Sequence, residues 1–176
     1  DDVMGSGFFV GRHGYILTNE HVVENANKIE VKLYNKKLET AKMIATDFVK
    51  DIALIQIEKD HPHVLKLGDS KNINEGDQIV VIGTPLSEDY AQYVNSGIIS
   101  KAFANFDKMG ATQLFGHDAL VDPGNSGSPV LNNRRRVIGI HTSYIANEDK
   151  ITKNKQFAVK INEVIEMLEE NNVSSY

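Results

Sequence analysis

The chain has 176 residues, 41% of them hydrophobic, 7% aromatic and 24% charged, and a formal net charge of -5. This composition excludes collagenous, low-complexity and disordered proteins, and the negative charge argues against a nucleic-acid binder. Cysteine is absent, which excludes thiol nucleophiles and disulfide frameworks, and no stretch approaches the ~18 apolar residues that a membrane span requires.

Short apolar runs rich in Val, Ile, Phe and Tyr, separated by turn residues, predict a chain made mainly of β-strands. About a dozen short strands at this spacing indicate a sandwich or barrels. A polar, turn-rich stretch over residues 67–76 predicts a boundary between two strand-bearing halves. The predicted strands span residues 7–10, 15–18, 28–33, 39–47, 52–57, 78–83, 93–101, 119–121, 129–131, 137–143 and 157–160.

The last segment of the chain predicts an amphipathic helix. Its apolar residues recur at offsets of three, four and seven, whereas glutamates occupy the other side. We expect the apolar stripe to pack on a barrel and the helix to end at Asn171 and Asn172. A shorter helical turn is expected after His21. The stripe consists of Ile161, Val164, Ile165 and Leu168.

The strongest chemical signal is Ser126, which lies in the run Asp-Pro-Gly-Asn-Ser-Gly over residues 122–127. Gly124 and Gly127 permit backbone conformations closed to other residues, so a tight turn there would expose the serine hydroxyl and aim neighbouring N–H groups at one point. Such converging donors would bind a developing oxyanion. A plain Gly/Ser/Pro surface loop is the alternative, because these residues are also good turn formers.

A serine hydroxyl becomes nucleophilic only when a positioned base takes its proton. His21 follows the apolar run 15–17 and should lie at a strand end, although a lone histidine there would also suit a structural role. Asp51 opens the apolar run 52–57, where a carboxylate that becomes buried needs a hydrogen-bond donor such as an imidazole. Its alternative role is that of a turn residue before a strand.

Three other polar features are interpreted as structural. His61 and His63 could place two rings on one side of an extended segment, but they lack an obvious third ligand, so we expect an exposed loop and no metal site. His117 is interpreted as a loop residue. The three arginines at 134–136 follow two asparagines between apolar segments, which is typical of a hairpin turn rather than a phosphate-binding patch.

The order His21, Asp51, Ser126 resembles the catalytic set of trypsin-like serine peptidases and differs from the orders in subtilisin-like enzymes and α/β-hydrolases. Nearly the whole chain resembles the protease domain of the HtrA/Deg family, without the PDZ domain that usually follows it there. The segments that carry this resemblance are residues 5–10, 15–23, 51–55, 81–85, 96–100 and 118–127.

The resemblance implies an all-β fold of two six-stranded antiparallel barrels of the chymotrypsin/trypsin type, followed by a C-terminal α-helix. The active site would lie in the cleft between the barrels. We therefore expect an N-terminal barrel over residues 1–72, a C-terminal barrel over residues 73–160, and a helix and tail over residues 161–176. The first barrel would carry the histidine and the aspartate, and the second would carry the serine.

The resemblance also implies a serine endopeptidase that works through an acyl-enzyme. His21 would be the base, Asp51 its partner and Ser126 the nucleophile, with an oxyanion hole built from Gly124, Asn125 and Ser126. Neither a metal nor an organic cofactor is expected. The alternative is a weakly active or inactive protease-fold module that binds unfolded protein or peptide segments, as a chaperone or a sensor.

Substrate contacts are expected at Val121, His141, Thr142 and Ser143. The segment around His141 is similar to the glutamyl endopeptidases, in which a histidine at this position lines the primary specificity pocket and meets an acidic side chain. Val121 instead matches the apolar pocket lining of the HtrA/Deg family, whose members usually prefer small aliphatic residues. Both preferences, acidic and small aliphatic, remain open at this stage.

The expected partners are protein or peptide substrates and not nucleic acid. A homo-oligomer is expected only if flanking segments exist. The resemblance alone implies an extracytoplasmic location, either periplasmic or secreted.

Overall fold

The protein is described by a computed structural model that covers residues 3–84, 92–105, 110–143 and 155–175. These residues form mostly β-strands, joined by turns, with short helical segments after β2 and after β11. The strands are β1 (Phe8–Gly11), β2 (Tyr15–Thr18), β3 (Ile29–Lys32), β4 (Leu38–Asp47), β5 (Ile52–Ile57), β6 (Gln78–Gly83), β7 (Tyr93–Ala104), β8 (Leu114–His117), β9 (Pro129–Asn132), β10 (Val137–Thr142) and β11 (Gln156–Lys160). The helices are α1 (Glu20–Val23), a 3-10 turn (Ile161–Val164) and α2 (Ile165–Glu170).

The C-terminal half forms a closed barrel in the strand order β10-β11-β8-β7-β6-β9. Every neighbouring pair is antiparallel, so the barrel has no free edge. The predicted six-stranded C-terminal barrel is therefore confirmed.

The N-terminal half forms an antiparallel sheet in the order β1-β2-β5-β4-β3. Within the described residues this sheet has five strands, one fewer than the six-stranded barrel that was expected. The chain after β5 does not add a sixth strand, because Leu67 pairs with Val137 of the other half as an isolated parallel bridge. Gly68 and Lys66 complete this connection by hydrogen bonds of 2.7 and 3.0 Å to the Val137 backbone.

Around residue 118 the structure differs from the prediction in two ways. Residues 119–121 form no strand, whereas Leu114–His117 forms β8, which the sequence did not predict. The ladder ends at Asp118, whose carboxylate accepts a hydrogen bond of 2.7 Å from the Ile98 N–H. All four residues of β8 are buried, and the strand pairs with β7 and β11. The sequence did not predict it because two of its four residues are a glycine and a histidine, which do not continue an apolar run.

One hydrophobic cluster joins the two halves. Leu17 and Leu54 from the first sheet belong to the same buried cluster as Val137 and Ile140 from the barrel. β2, β5 and β10 therefore share one core, and two of the predicted chemical residues border these strands: His21 follows β2 and Asp51 precedes β5.

The predicted C-terminal helix is confirmed, with Asn171 as its C-cap, but one residue of the predicted apolar stripe is exposed. Ile161, Val164 and Leu168 are buried, whereas Ile165 is 42% exposed. The difference arises because residues 161–164 form a 3-10 turn with about three residues per turn, which rotates Ile165 away from the stripe of an ideal α-helix.

The arginines at 134–136 lie in the turn between β9 and β10, as predicted, and Arg135 has a φ of 58°. None of the helices in the described part of the chain has the length and apolar character that crossing a bilayer requires.

We predict that Leu54→Ala lowers the free energy of unfolding by about 2 to 5 kcal/mol, because the side chain is fully buried and its loss leaves a cavity. Urea unfolding monitored by circular dichroism measures this change. Leu120→Ala is the matched control, since Leu120 is 82% exposed and should change stability by less than about 0.5 kcal/mol. Equal losses in the two variants would contradict the shared core.

Candidate active site

His21 and Asp51 are in direct contact. His21 lies in α1 immediately after β2, and Asp51 immediately precedes β5, which is the neighbour of β2 in the sheet. The His21 Nδ1 atom lies 2.9 Å from both carboxylate oxygens of Asp51, and the His21 backbone N–H donates to Oδ1 at 3.0 Å. A carboxylate only accepts hydrogen bonds, so Nδ1 carries the proton and Nε2 is the basic nitrogen of the neutral ring.

The Asp51 carboxylate is buried and held by several donors. Its side chain is 3% exposed, and the Thr142 hydroxyl donates to Oδ2 at 2.7 Å. The Asn19 side-chain amide donates to the Asp51 carbonyl at 2.9 Å. Asp51 has a φ of 54°, a left-handed conformation that aspartate tolerates better than most residues. These contacts fix both the backbone and the carboxylate of Asp51.

A second carboxyl lies beside this pair. Glu20 is buried in α1, and this burial, followed by the negative charges of Glu24 and Asp51, raises the pKa of its carboxyl. Glu20 is therefore protonated more readily than an exposed glutamate would be.

The loop that carries Ser126 is a buried turn rather than a surface loop. Gly124 and Gly127 have φ values of 99° and 89°, as the glycine pattern predicted. The Asn125 N–H donates to the Asp122 carbonyl at 3.1 Å, and the Asn125 side-chain amide donates to the same carbonyl at 2.9 Å. Asn125 thus shapes the loop with both its backbone and its side chain.

Two N–H groups of this loop have no acceptor among the residues that the structure describes. Among the hydrogen bonds between described residues, none uses the backbone N–H of Gly124 or of Ser126. The flanking N–H of Gly127, by contrast, donates to the His141 carbonyl at 2.9 Å. Gly124 and Ser126 are two of the three residues expected to build an oxyanion hole, whereas the N–H of the third, Asn125, is used by the Asp122 carbonyl.

The Ser126 hydroxyl lies 2.6 Å from the Ser143 hydroxyl. In the described part of the chain no hydrogen bond joins it to the His21 ring. The three predicted residues nevertheless converge on the end of β10, because Thr142 contacts Asp51 and the adjacent Ser143 contacts Ser126. His21 is linked to this strand end through Asp51.

The residues predicted to bind substrate lie at different depths. Val121 is half-buried and packs on the barrel core, and Ser143 is half-buried beside Ser126. The side-chain hydroxyl of Thr142 is committed to Asp51, a role that the sequence did not suggest. His141 is only 1% exposed, within β10.

His141 forms a buried pair with His117. The His117 Nε2 atom lies 3.2 Å from His141 Nδ1, and the two rings meet edge to face. His117 was expected in a loop, but it is the last residue of β8 and is 1% exposed. Burial lowers the pKa of His117 to about 4, and burial together with the neighbouring His117 lowers the pKa of His141 to about 3. Both rings are therefore neutral at pH 7.

His61 and His63 lie in the segment after β5, and His61 stacks on Phe9 with ring centroids 3.8 Å apart. In the described ranges, no group of three or more His, Asp or Glu side chains is arranged to hold a metal ion. His61 thus has a packing role.

Sequence reasoning missed several residues that support the site. Asn19 and Thr18 directly precede α1, and their polar character at the end of an apolar strand was the available signal. Ser6, which bonds the Ser126 loop, lies within a segment that was singled out only for its resemblance.

Comparison with known proteins identifies the family. Residues 5–140 match the trypsin-like peptidase domain family. The chain therefore belongs to the trypsin-like serine peptidases. Within them it is of the HtrA/Deg type, as the relatives below indicate, and the predicted class of hydrolase is confirmed at this level.

The chain is 36% identical over 162 residues to the serine protease Do-like HtrA of Bacillus subtilis (strain 168), covering 89% of this chain and 36% of that protein. It is 36% identical over 139 residues to a probable periplasmic serine endoprotease DegP-like of Marinomonas sp. (strain MWYL1), covering 79% and 29%. The chain thus spans about a third of the length of these curated relatives. A solved structure of the HtrA-type protease AlgW with a decapeptide superposes with a TM-score of 0.83 at 29% identity, covering 95% of this chain and 51% of that one.

We predict that acidification destabilises the HtrA-type domain through the two buried histidines. An imidazole of the unfolded chain gains its proton near pH ~6.5, whereas the folded pKa values are about 4 and about 3. The stabilisation is therefore complete above pH ~6.5 and is lost as the pH falls toward these folded values. The loss is roughly 1 to 2 kcal/mol for each imidazole between pH 7 and pH 5.

Urea unfolding of the Ser126→Ala protein at the two pH values measures this loss. His117→Gln should reduce it by about half, because one of the two groups no longer titrates. His63→Gln removes an exposed imidazole and is the matched control. A pH dependence that His117→Gln leaves unchanged would contradict the assignment.

Proposed function

We propose that the protein is a serine endopeptidase that hydrolyses peptide bonds through an acyl-enzyme. The observation that supports this most directly is the 2.9 Å contact between His21 Nδ1 and the buried Asp51 carboxylate, on the strand end that also carries the Ser126 contact. Membership in the trypsin-like peptidase family supports the same chemistry.

The reaction begins when the Ser126 hydroxyl turns from Ser143 toward His21. Ser126 Oγ attacks the carbonyl carbon of the scissile bond as His21 Nε2 takes its proton, and Asp51 stabilises the resulting imidazolium. The N–H groups of Gly124 and Ser126 bind the oxyanion of the tetrahedral intermediate. This intermediate collapses, the C–N bond breaks, and His21 gives its proton to the leaving amine.

Water then repeats the sequence on the acyl-enzyme. His21 removes a proton from the water as its oxygen attacks the ester carbonyl, and the second intermediate expels Ser126, which regains its proton from His21. The products are a free carboxylate and a free amine. Every proton transfer in this scheme uses the Nε2 atom of His21, which requires that Asp51 keep the ring in one orientation.

The substrates proposed are protein or peptide segments in an extracytoplasmic compartment. A decapeptide accompanies the related protease AlgW, and several relatives are named periplasmic endoproteases. The predicted division into units over residues 1–72, 73–160 and 161–176 belongs to the same proposal: the first would supply the base and the second the nucleophile.

For the residue before the cut, we propose a small aliphatic preference over an acidic one. Val121 would provide an apolar wall, and His141 would provide no accessible positive charge, because it is neutral at pH 7 and 1% exposed. A carboxylate that leaves water without a counter-charge or several donors is strongly disfavoured.

A binding module without turnover is the second candidate function. It is favoured by one observation, namely that the Ser126 hydroxyl contacts Ser143 rather than His21. A fluorophosphonate probe separates the two functions, because it labels only a serine that a base activates. A protein that binds unfolded peptide but takes no label would support the binding module.

We predict that Ser126→Ala lowers kcat by about four to six orders of magnitude while the fold is retained, since the nucleophile itself is lost. Cleavage of an unfolded protein, followed by mass spectrometry, measures the activity, and circular dichroism checks the fold. Ser100→Ala, which truncates an exposed serine of β7, should retain parental activity. Parental turnover by the Ser126→Ala protein would defeat the proposed mechanism.

A second prediction concerns specificity at pH 7. Peptides that differ only at the residue before the cut should give a kcat/KM at least about tenfold higher for Val than for Glu, because the pocket offers a carboxylate no charged partner. The peptide with Gln in that position is the control for size, and it should be cleaved faster than its Glu counterpart. A preference for Glu over both would overturn the proposed aliphatic pocket.

A further inference from the structure

Ser6 connects three distant segments through one residue. Its hydroxyl donates to the Gly124 carbonyl at 2.8 Å and accepts from the Thr84 N–H at 3.0 Å. Its backbone N–H donates to the Ser126 carbonyl at 2.7 Å, and its carbonyl accepts from the Thr18 hydroxyl at 2.7 Å. The chain before β1 is thereby bonded to β2, to the end of β6 and to the nucleophile loop.

Ser6 lies so close to the loop that residue 127, which faces it, cannot be larger than glycine. A Cβ atom added to Gly127 would collide with the Ser6 carbonyl oxygen and lie 2.5 Å from the Thr18 hydroxyl oxygen. Gly127 is therefore required by space as well as by its φ of 89°. This tight fit holds Ser6 at a fixed distance from the loop.

The peptide group between Gly124 and Asn125 is bonded at both ends. Ser6 Oγ holds its carbonyl, and the Asp122 carbonyl holds its N–H at 3.1 Å. The Ser6 N–H also donates to the carbonyl of Ser126, the residue after Asn125. The unused N–H of Gly124 belongs to the preceding peptide, whose orientation relative to the held peptide is set by the φ of Gly124.

Gly124 itself does not restrict this rotation, since glycine populates positive and negative φ with similar ease. Its φ of 99° must therefore be selected by contacts of the neighbouring peptides. The hydrogen bond from Ser6 acts directly on the adjacent carbonyl and is made by a side chain, so it can be removed by substitution without altering the loop sequence.

We propose that Ser6 is a positioning residue for the oxyanion hole. Its hydroxyl holds the Gly124 carbonyl so that the Gly124 N–H and the Ser126 N–H point at the same site. This inference rests on the proposed peptidase function, because it assigns the oxyanion hole to these two donors. Ser6 touches neither the substrate nor the reacting atoms in this role.

The test compares Ser6→Ala with Ser70→Ala. Ser70 is a matched control, because its buried hydroxyl also donates and accepts across distant segments, to Asn162 Oδ1 at 2.7 Å and from the Asn162 N–H at 3.1 Å. Loss of a complete oxyanion donor costs about 10² to 10³ in kcat, so a misdirected donor in Ser6→Ala should lower kcat by about 10- to 100-fold with KM within about twofold. Ser70→Ala should keep both constants.

A pair of inhibitors distinguishes positioning from a general structural effect. A peptidyl aldehyde forms a tetrahedral adduct whose oxyanion needs the two donors, whereas the matching peptidyl alcohol binds without one. Ser6→Ala should weaken the aldehyde by the same factor as kcat and leave the alcohol unchanged. Ser6→Cys keeps a weaker donor in the same place and should give intermediate values for both kcat and the aldehyde.

Each outcome has one meaning. A parent protein that takes no fluorophosphonate label defeats the proposed function, and the role of Ser6 falls with it. If the parent is labelled but Ser6→Ala keeps kcat within about threefold, or loses affinity for aldehyde and alcohol equally, only the role of Ser6 is overturned. Should Ser6→Ala fail to fold, Ser6→Cys decides the question by the same two comparisons.

Discussion

The site and the fold both depend on the burial of one carboxylate. A buried carboxylate without partners costs several kcal/mol, so burial of the Asp51 side chain requires hydrogen-bond donors. One set of donors comes from α1, through the ring and the backbone of His21, and the other comes from β10, through Thr142. The first sheet and the barrel are thus held together by the same group that orients the imidazole. We expect a substitution of Thr142 to affect both the contact between the halves and the orientation of Asp51.

The loop that carries Ser126, residues 122–127, is organised on a different physical basis. Its conformation comes from glycines with positive φ and from hydrogen bonds to segments that are remote in sequence, rather than from a regular ladder. Such a loop is precise only as long as its external contacts persist, because glycine contributes no rigidity of its own. The segment before β1 therefore has a chemical importance that its position near the start of the described chain does not suggest. The barrel provides the other half of the support, since the Gly127 N–H and the His141 carbonyl link the loop to β10.

Local patterns predicted most of the strands and the positions of His21 and Asp51 beside strands, because alternating apolar runs and the residues that bound them depend on nearby sequence. The failures occurred where tertiary contacts override such patterns. β8 carries a glycine and a histidine in a fully buried strand, so its sequence lacks the apolar signal of its neighbours. Ile165 lies outside the buried apolar stripe because the helical segment begins with a 3-10 turn. The spacing of apolar residues in the sequence does not distinguish a 3-10 turn from an α-helical one. Thr142 and Ser6 could not be assigned in advance, since each acts on a residue that is about a hundred positions away.

The contact between the hydroxyls of Ser126 and Ser143 bears on how turnover numbers for this chain are read. In the proposed mechanism only the orientation of the Ser126 hydroxyl toward His21 leads to acylation, so the contact with Ser143 corresponds to an orientation that does not react. The observed rate is then the intrinsic rate multiplied by the fraction of molecules in that orientation. Under the proposed mechanism, a modest turnover number would thus report the occupancy of one Ser126 rotamer as much as the quality of the catalytic machinery.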